Sequence, residues 1–236
     1  MSTADGPVTL VTGGGSGIGA AAARLLLGRG HRVAVTGRSA ERLEGFAAET
    51  AAGDALLAVP GDTSEPGAVA AAVDAAVRRF GRLDHVVANA GYSTHDTLAD
   101  GDPGEWRAML LTNVLGPALL IRAALPALRG TRGRVVLVGS VAGIKSTPGS
   151  MYSVTKTAVT GLAENARVLL TGSGVGVTLV APGRVESPFW DSRENGMPEG
   201  PALTSEQVAE SIAWVLAQPA GVEINSVVVR PSGQVR

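Results

Sequence analysis

Short runs of β-branched and other apolar residues alternate with longer Ala- and Leu-rich segments along the whole chain. That alternation leaves few folds open. A strand that is apolar on both faces must be covered on both, and the helical segment leading to the next strand is the natural cover. The expected strands are Val8–Val11, Arg32–Thr36, Ala55–Pro60, His85–Ala88, Arg134–Gly139, Val175–Ala181 and Asn225–Arg230. The expected helices are Gly17–Gly28, Glu65–Phe80, Gly104–Leu128, Tyr152–Leu170 and Ser205–Ala217, the last with Ser205 and Glu206 as its N-terminal signals. The fold class is α/β: a doubly wound parallel sheet of about seven strands with helices on both faces. No repeat, low-complexity tract or charged linker divides the chain, so residues 1–236 are expected to form a single domain. The least regular stretch, about residues 183–204, is rich in Pro and Gly and joins the sixth strand to the last helix, where a loop of this length is expected to be functional.

Composition removes several classes of function. The net charge is −1 and the charges are dispersed, which argues against nucleic acid as a partner. There is no cysteine, hence no disulfide, thiolate nucleophile or Cys-based zinc site. The three histidines, His31, His85 and His95, have no metal-ligand spacing, so structural or surface roles and no metal are expected. Residues Met1–Pro7 lack the basic-then-apolar pattern of a leader and no segment reads as a membrane span, so the expectation is a cytoplasmic protein with no membrane partner.

The first expected strand runs directly into Thr12-Gly13-Gly14-Gly15-Ser16-Gly17-Ile18-Gly19 and then into a helix-forming run. Glycine suits such a turn for two reasons. It adopts positive φ, and it lets the backbone approach a pyrophosphate without a Cβ in the way. The N-terminus of the following helix adds free N–H groups and a partial positive charge for the phosphates. The fold this implies is Rossmann-type. About 20 residues further on, where an acid would bind the ribose hydroxyls of NAD, stands Thr36-Gly37-Arg38-Ser39 with no carboxylate. Arg38 could instead pair bidentately with a 2′-phosphate, so NADP(H) is the expected cofactor.

The spacing Thr12-Gly13-x-x-x-Gly17-x-Gly19 resembles the glycine motif of the short-chain dehydrogenase/reductase family, and further landmarks follow in the family's order. The resemblance implies cofactor contacts at Gly13, Gly15, Ser16, Gly17, Ile18 and Gly19, at Arg38 and Ser39, and at Asp62 and Thr63. It also implies them at Asn89-Ala90-Gly91, at Pro182 and Gly183, and at Val185 and Ser187, the last being Thr in most members.

Gly139-Ser140 closes the fifth expected strand, and Tyr152-Ser153-Val154-Thr155-Lys156 opens a helix with Tyr152 and Lys156 on one face. Carbonyl reduction by hydride needs a proton for the developing alkoxide, and a nearby ammonium is expected to pull a tyrosine pKa down toward use. By the resemblance, Tyr152 is the general acid or base, and Lys156 tunes it and holds the nicotinamide ribose. Ser140 would bind the substrate oxygen, and Asn113 would hold a proton-relay water. Twelve positions separate Ser140 from Tyr152, one fewer than in many members of the family, so a tighter loop is expected.

The function implied is NADP(H)-dependent interconversion of a ketone or aldehyde and an alcohol. A non-catalytic NADP(H)-binding sensor or scaffold, and an epimerase using transient redox, remain open alternatives. The substrate is a small molecule, with Phe189, Trp190, Arg193, Glu194, Met197, Lys145, Ser146 and Met151 expected around it. Lys145 or Arg193 would suit an anionic substrate. The helices at Gly104–Leu128 and Tyr152–Leu170 are expected to pair across a homodimer or homotetramer interface.

Overall fold

The computed structural model describes residues 6–234; the termini, including the Met1–Asp5 part of the segment read for a leader, lie outside the described residues. Seven strands, β1 (Val8–Thr12), β2 (Arg32–Gly37), β3 (Leu56–Pro60), β4 (His85–Ala88), β5 (Arg134–Val138), β6 (Gly176–Pro182) and β7 (Ser226–Val229), form one sheet in the order β3-β2-β1-β4-β5-β6-β7. Every pairing is parallel. The central strands β1 and β4 to β6 are almost entirely buried, which is why they read as unbroken apolar runs.

Seven α-helices cover the sheet: α1 (Gly17–Gly28), α2 (Ala40–Thr50), α3 (Pro66–Phe80), α4 (Pro103–Leu110), α5 (Gly116–Thr131), α6 (Met151–Leu170) and α7 (Ser205–Leu216). Two apolar layers result. On one face Leu26, Leu43, Phe46 and Ile212 of α1, α2 and α7 pack on Val11, Val35 and Val180. On the other, Val73, Leu120, Leu128, Val159 and Leu170 of α3, α5 and α6 pack on Leu10, Val86 and Leu137. Strand order reverses between β1 and β4, and in an open parallel sheet the crevice outside the carboxyl ends of the strands at that switch is where ligands bind.

Three elements differ from the sequence expectation. Helix α2 has a narrow apolar stripe, with only Leu43 and Phe46 buried, and it starts where the Ser39 hydroxyl accepts the Arg42 N–H at 3.1 Å. The expected helix over 104–128 is broken into α4, a π-helical turn at Leu111–Leu115, and α5. Pro117 cannot donate to the carbonyl four residues back, that of Asn113, and the ladder reopens there. The last helix is capped by Thr204 in a capping box with Gln207, not by Ser205 and Glu206.

The continuous helical segment Pro103–Thr131 is long and apolar enough by composition to cross a membrane, with a mean hydropathy of 1.7, contrary to the sequence reading. In the fold, its residues Leu120, Ala124 and Leu128 are buried in the core.

At the edge opposite the crevice, His85 sits beside His31, with ring centroids 5.8 Å apart, and its Nδ1 is buried without a partner. Desolvation, followed by the neighbouring His31, holds the His85 pKa down at about 4, while Asp84 opposes the shift. The unfolded imidazole, with its ordinary value near 6.5, therefore takes up a proton before the folded one does. Stability is full above about pH 6.5 and falls toward pH 4, by roughly 3 kcal/mol from this residue. Urea unfolding at pH 7 and pH 4.5 should show the loss, and His85→Leu should flatten it; an unchanged pH slope in the variant would contradict this assignment.

Candidate active site

The loops at the carboxyl ends of the strands enclose a cleft of about 1100 Å³. Its floor is the turn between β1 and α1. Gly13 adopts φ +66° and Gly17 φ +50°, a region costly for side chains. The N–H of Gly13 donates to the Thr36 carbonyl at 2.7 Å, which seats the turn on the end of β2. A Cβ at Gly14 would lie 2.6 Å from Val35, so this glycine permits packing beneath the turn. Ser16 occupies the N-cap of α1 but makes no side-chain cap, so the helix terminus has no side-chain acceptor of its own. That combination fits a phosphate.

Most residues expected at the cofactor line this cleft. They include Gly13, Gly15, Ser16, Gly17 and Ile18 of the turn, Arg38 and Ser39 after β2, and Asp62 and Thr63 after β3. Asn89, Ala90 and Gly91 after β4, and Pro182, Gly183, Val185 and Ser187 after β6, complete the lining. Gly19 does not line it. A Cβ there would stand 2.2 Å from the Gly13 carbonyl oxygen, so the bare Cα lets α1 close against the turn from below.

The mouths of β1 and β4 are joined by side chains: the Thr12 hydroxyl accepts the N–H groups of Asn89 and Ala90, and Asn89 Nδ2 donates to the Thr12 carbonyl at 2.9 Å. Asp62 Oδ1 accepts from the backbone and hydroxyl of Ser64, which turns the chain toward α3.

At the β2 end, the Arg38 guanidinium sits 5.9 Å from the Tyr92 ring centroid. Arg42, which the sequence reading did not single out, lines the same end of the cleft and is exposed. Its signal was present: an arginine three residues beyond the Ser39 cap faces the same way as the N-terminus of α2.

At the β5 end, Ser140, Tyr152 and Lys156 converge. The Ser140 hydroxyl accepts the Ala142 N–H at 3.1 Å and lies close enough to the Tyr152 hydroxyl to pull its pKa down. The Lys156 ammonium, 5.7 Å from the Tyr152 ring centroid, donates to the Val138 carbonyl at 2.9 Å. The tight loop after Ser140 is held by Ser153, whose hydroxyl donates to the Ala142 carbonyl at 2.6 Å and accepts from Thr147 N–H. Gly143 presses on α6 where a Cβ would meet the Lys156 carbonyl at 2.4 Å. The loop leaves Ser140 through a 3-10 turn at Val141–Gly143, with the Ser140 hydroxyl as its N-cap.

The electrostatics differ from expectation. Burial pushes the Tyr152 pKa up to about 12, with only the Ser140 hydrogen bond pulling the other way. Burial also lowers Lys156 to about 8. The ammonium does not bring the tyrosine down, because it is turned to the Val138 carbonyl while both groups lose water.

Asn113 is 1% exposed and does not line the cleft. Its Oδ1 accepts from Tyr92 N–H, and its Nδ2 donates to the Tyr92 carbonyl and to Thr155 Oγ1. It thus clamps the loop after β4 to α6 through Thr155, the residue before Lys156.

Of the residues expected around a substrate, Lys145, Ser146, Phe189 and Trp190 line the cleft, whereas Met151, Arg193, Glu194 and Met197 do not. Arg193 instead donates to the Gly196 carbonyl at 2.8 Å. His95, expected in a structural or surface role, also lines the cleft, together with Asp96. No group of His, Asp or Glu residues among those described could hold a metal.

The sequence profile of the short chain dehydrogenases matches residues 7–197. An uncharacterized oxidoreductase of Staphylococcus aureus is 32% identical over 233 residues, covering 98% of this chain and all of the relative. Among solved structures, an alcohol dehydrogenase from the archaeon Thermococcus sibiricus complexed with 5-hydroxy-NADP is similar at a TM-score of 0.88 and 27% identity, covering 98% of this chain and 99% of the other. A 3-ketoacyl-(acyl-carrier-protein) reductase from Brucella melitensis complexed with NADH is similar at a TM-score of 0.85 and 28% identity, covering 96% of this chain and 98% of the other. The chain belongs to the short-chain dehydrogenase/reductase family of oxidoreductases, whose members bind nicotinamide cofactors and act on small molecules.

Proposed function

We propose that the protein is an NADP(H)-dependent oxidoreductase that interconverts a ketone or aldehyde and an alcohol, with Tyr152 as the general acid or base. The observation that carries this reading is the gathering of Ser140, Tyr152 and Lys156 at one end of a cleft whose other end is Arg38.

In this reading the dinucleotide lies along the cleft from Arg38, past the glycine turn, to Lys156. The N–H groups at the start of α1 take the pyrophosphate. Arg38 takes the 2′-phosphate, assisted by Arg42, and Asp62 and Thr63 flank the adenine. Pro182, Gly183, Val185 and Ser187 wall the nicotinamide, whose bound form supplies or accepts a hydride.

Ser140 donates a hydrogen bond to the substrate oxygen, where negative charge develops during reduction. Tyr152, held neutral by a pKa of about 12, delivers the proton. Lys156 keeps its place through the Val138 carbonyl and offers its remaining N–H donors to the nicotinamide ribose. Asn113 holds the loop after β4 against α6 and so fixes the wall facing Lys156. Because burial keeps Tyr152 protonated at neutral pH, it is poised to donate in reduction, and alcohol oxidation, which needs the phenolate, speeds up as the pH rises.

Two exposed apolar faces support a homo-oligomer, either dimer or tetramer. One carries Leu110, Leu111 and Leu115 around the π-helical turn, and the other Val154, Val168 and Leu169 on α6.

The test is NADPH consumption with a panel of small ketones and aldehydes, with the product identified. Net formation of alcohol supports the reading, whereas isomerised substrate without net NADPH consumption, or none consumed with any carbonyl compound, overturns it.

A further inference from the structure

Only eight of the 236 residues are Phe, Trp or Tyr, and four of them, Tyr92, Tyr152, Phe189 and Trp190, line the one cleft. Three of those four, with His95, form a connected wall beside the Ser140 and Tyr152 hydroxyls. The His95 and Trp190 rings stack at 5.4 Å and 22°. Phe189 stands nearly perpendicular to both, at 83° to His95 and 86° to Trp190. Its ring in turn lies 5.3 Å from that of Tyr152.

Hydrogen bonds fix this wall in place. His95 Nε2 lies 3.2 Å from the Phe189 carbonyl, which can only accept, so Nε2 carries the proton and His95 ties the β4 loop to the loop after β6. His95 adopts φ +59°, a conformation uncommon outside glycine, and the Ser93 hydroxyl, accepting its N–H at 3.0 Å, holds it there. Trp190 Nε1 donates to the Val185 carbonyl at 2.8 Å. Asp96, which follows His95 and lines the cleft, is already committed: it accepts from Trp106 Nε1 and from the Thr94 hydroxyl. The wall therefore offers polarisable ring surface.

We infer that the preferred substrate is a carbonyl compound or alcohol with a flat unsaturated ring bonded to its reacting carbon, the ring seated against Phe189, Trp190 and His95. This rests on the oxygen of the substrate lying at Ser140 and Tyr152, as in the function proposed above. A group on the reacting carbon must then extend along the neighbouring rings, where a π-face pairs edge-to-face or offset and a saturated ring does not.

The experiment compares acetophenone with cyclohexyl methyl ketone, which differ in ring flatness but not in skeleton. The readout is the ratio of their kcat/KM values in the wild type and in Phe189→Leu, so that intrinsic ketone reactivity cancels. The ratio is expected to drop in the variant by about two- to tenfold, the contribution of an aromatic pair beyond area burial. In parallel, calorimetric titration of the NADP⁺-loaded wild type should show acetophenone binding more tightly than its saturated analogue by a similar factor. An unchanged kcat/KM ratio, or equal binding of the two, overturns the inference. Tighter acetophenone binding with neither ketone consumed overturns the reductase reading and leaves the ring preference standing.

Discussion

Tyr152→Phe is expected to lower NADPH-dependent turnover by about a hundredfold to ten-thousandfold, the range spanned by general acid–base groups. The variant keeps the ring that packs 5.3 Å from Phe189 and loses only the hydroxyl that faces Ser140. The wall and the cofactor end of the cleft are therefore undisturbed, and NADPH affinity should stay within about threefold. Steady-state kinetics and a fluorescence titration on the same preparation separate the two effects. Turnover within a few-fold of wild type would mean that the proton comes from elsewhere.

Lys156→Met should have an effect of comparable size with a different signature. Methionine keeps most of the apolar stem inside α6 and removes the ammonium. The Val138 carbonyl then loses a charge-assisted donor, a loss of about 1.5–3 kcal/mol, and the proposed ribose contact goes with it. Turnover should fall about a hundredfold, and NADPH should bind at least about tenfold more weakly. The pH profile distinguishes this from a merely structural defect. With its pKa lowered to about 8 by burial, Lys156 is cationic below that value and loses its charge above it. The wild-type reduction rate should therefore decline through about pH 8, and the residual rate of the variant should lack that limb. A variant that keeps the same limb would remove Lys156 from the account.

The fold was legible because its strands are covered on both faces: runs such as Val135–Val138 admit no other placement in a soluble α/β sheet. Helix α2 was missed because two buried side chains make too faint a stripe, although Ser39 followed by an acidic residue marks its start. The break at Leu111–Leu115 was hidden inside a continuously apolar pattern, and only Pro117 pointed to it. At the site, order and spacing brought the glycine turn, Asn89, Ser140, Tyr152 and Lys156 to attention, since each stands at the carboxyl end of a strand or in the first turns of the helix that follows. His95 carried no such mark. It reaches the cleft by a left-handed backbone turn and is held by a carbonyl 94 residues away, and neither shows in local sequence. The direction of the Tyr152 pKa could not be read from a Tyr-x-x-x-Lys pair either, because it is set by how deeply the fold buries the phenol.

In the proposed function the cleft takes a dinucleotide with a 2′-phosphate. Parallel fluorescence titrations with NADPH and NADH test it without knowledge of the substrate. NADPH should bind about ten- to a hundredfold more tightly, as a bidentate guanidinium–phosphate pair contributes about 1.5–3 kcal/mol, and Arg38→Asp should abolish that preference. Equal or tighter binding of NADH by the wild type would contradict it.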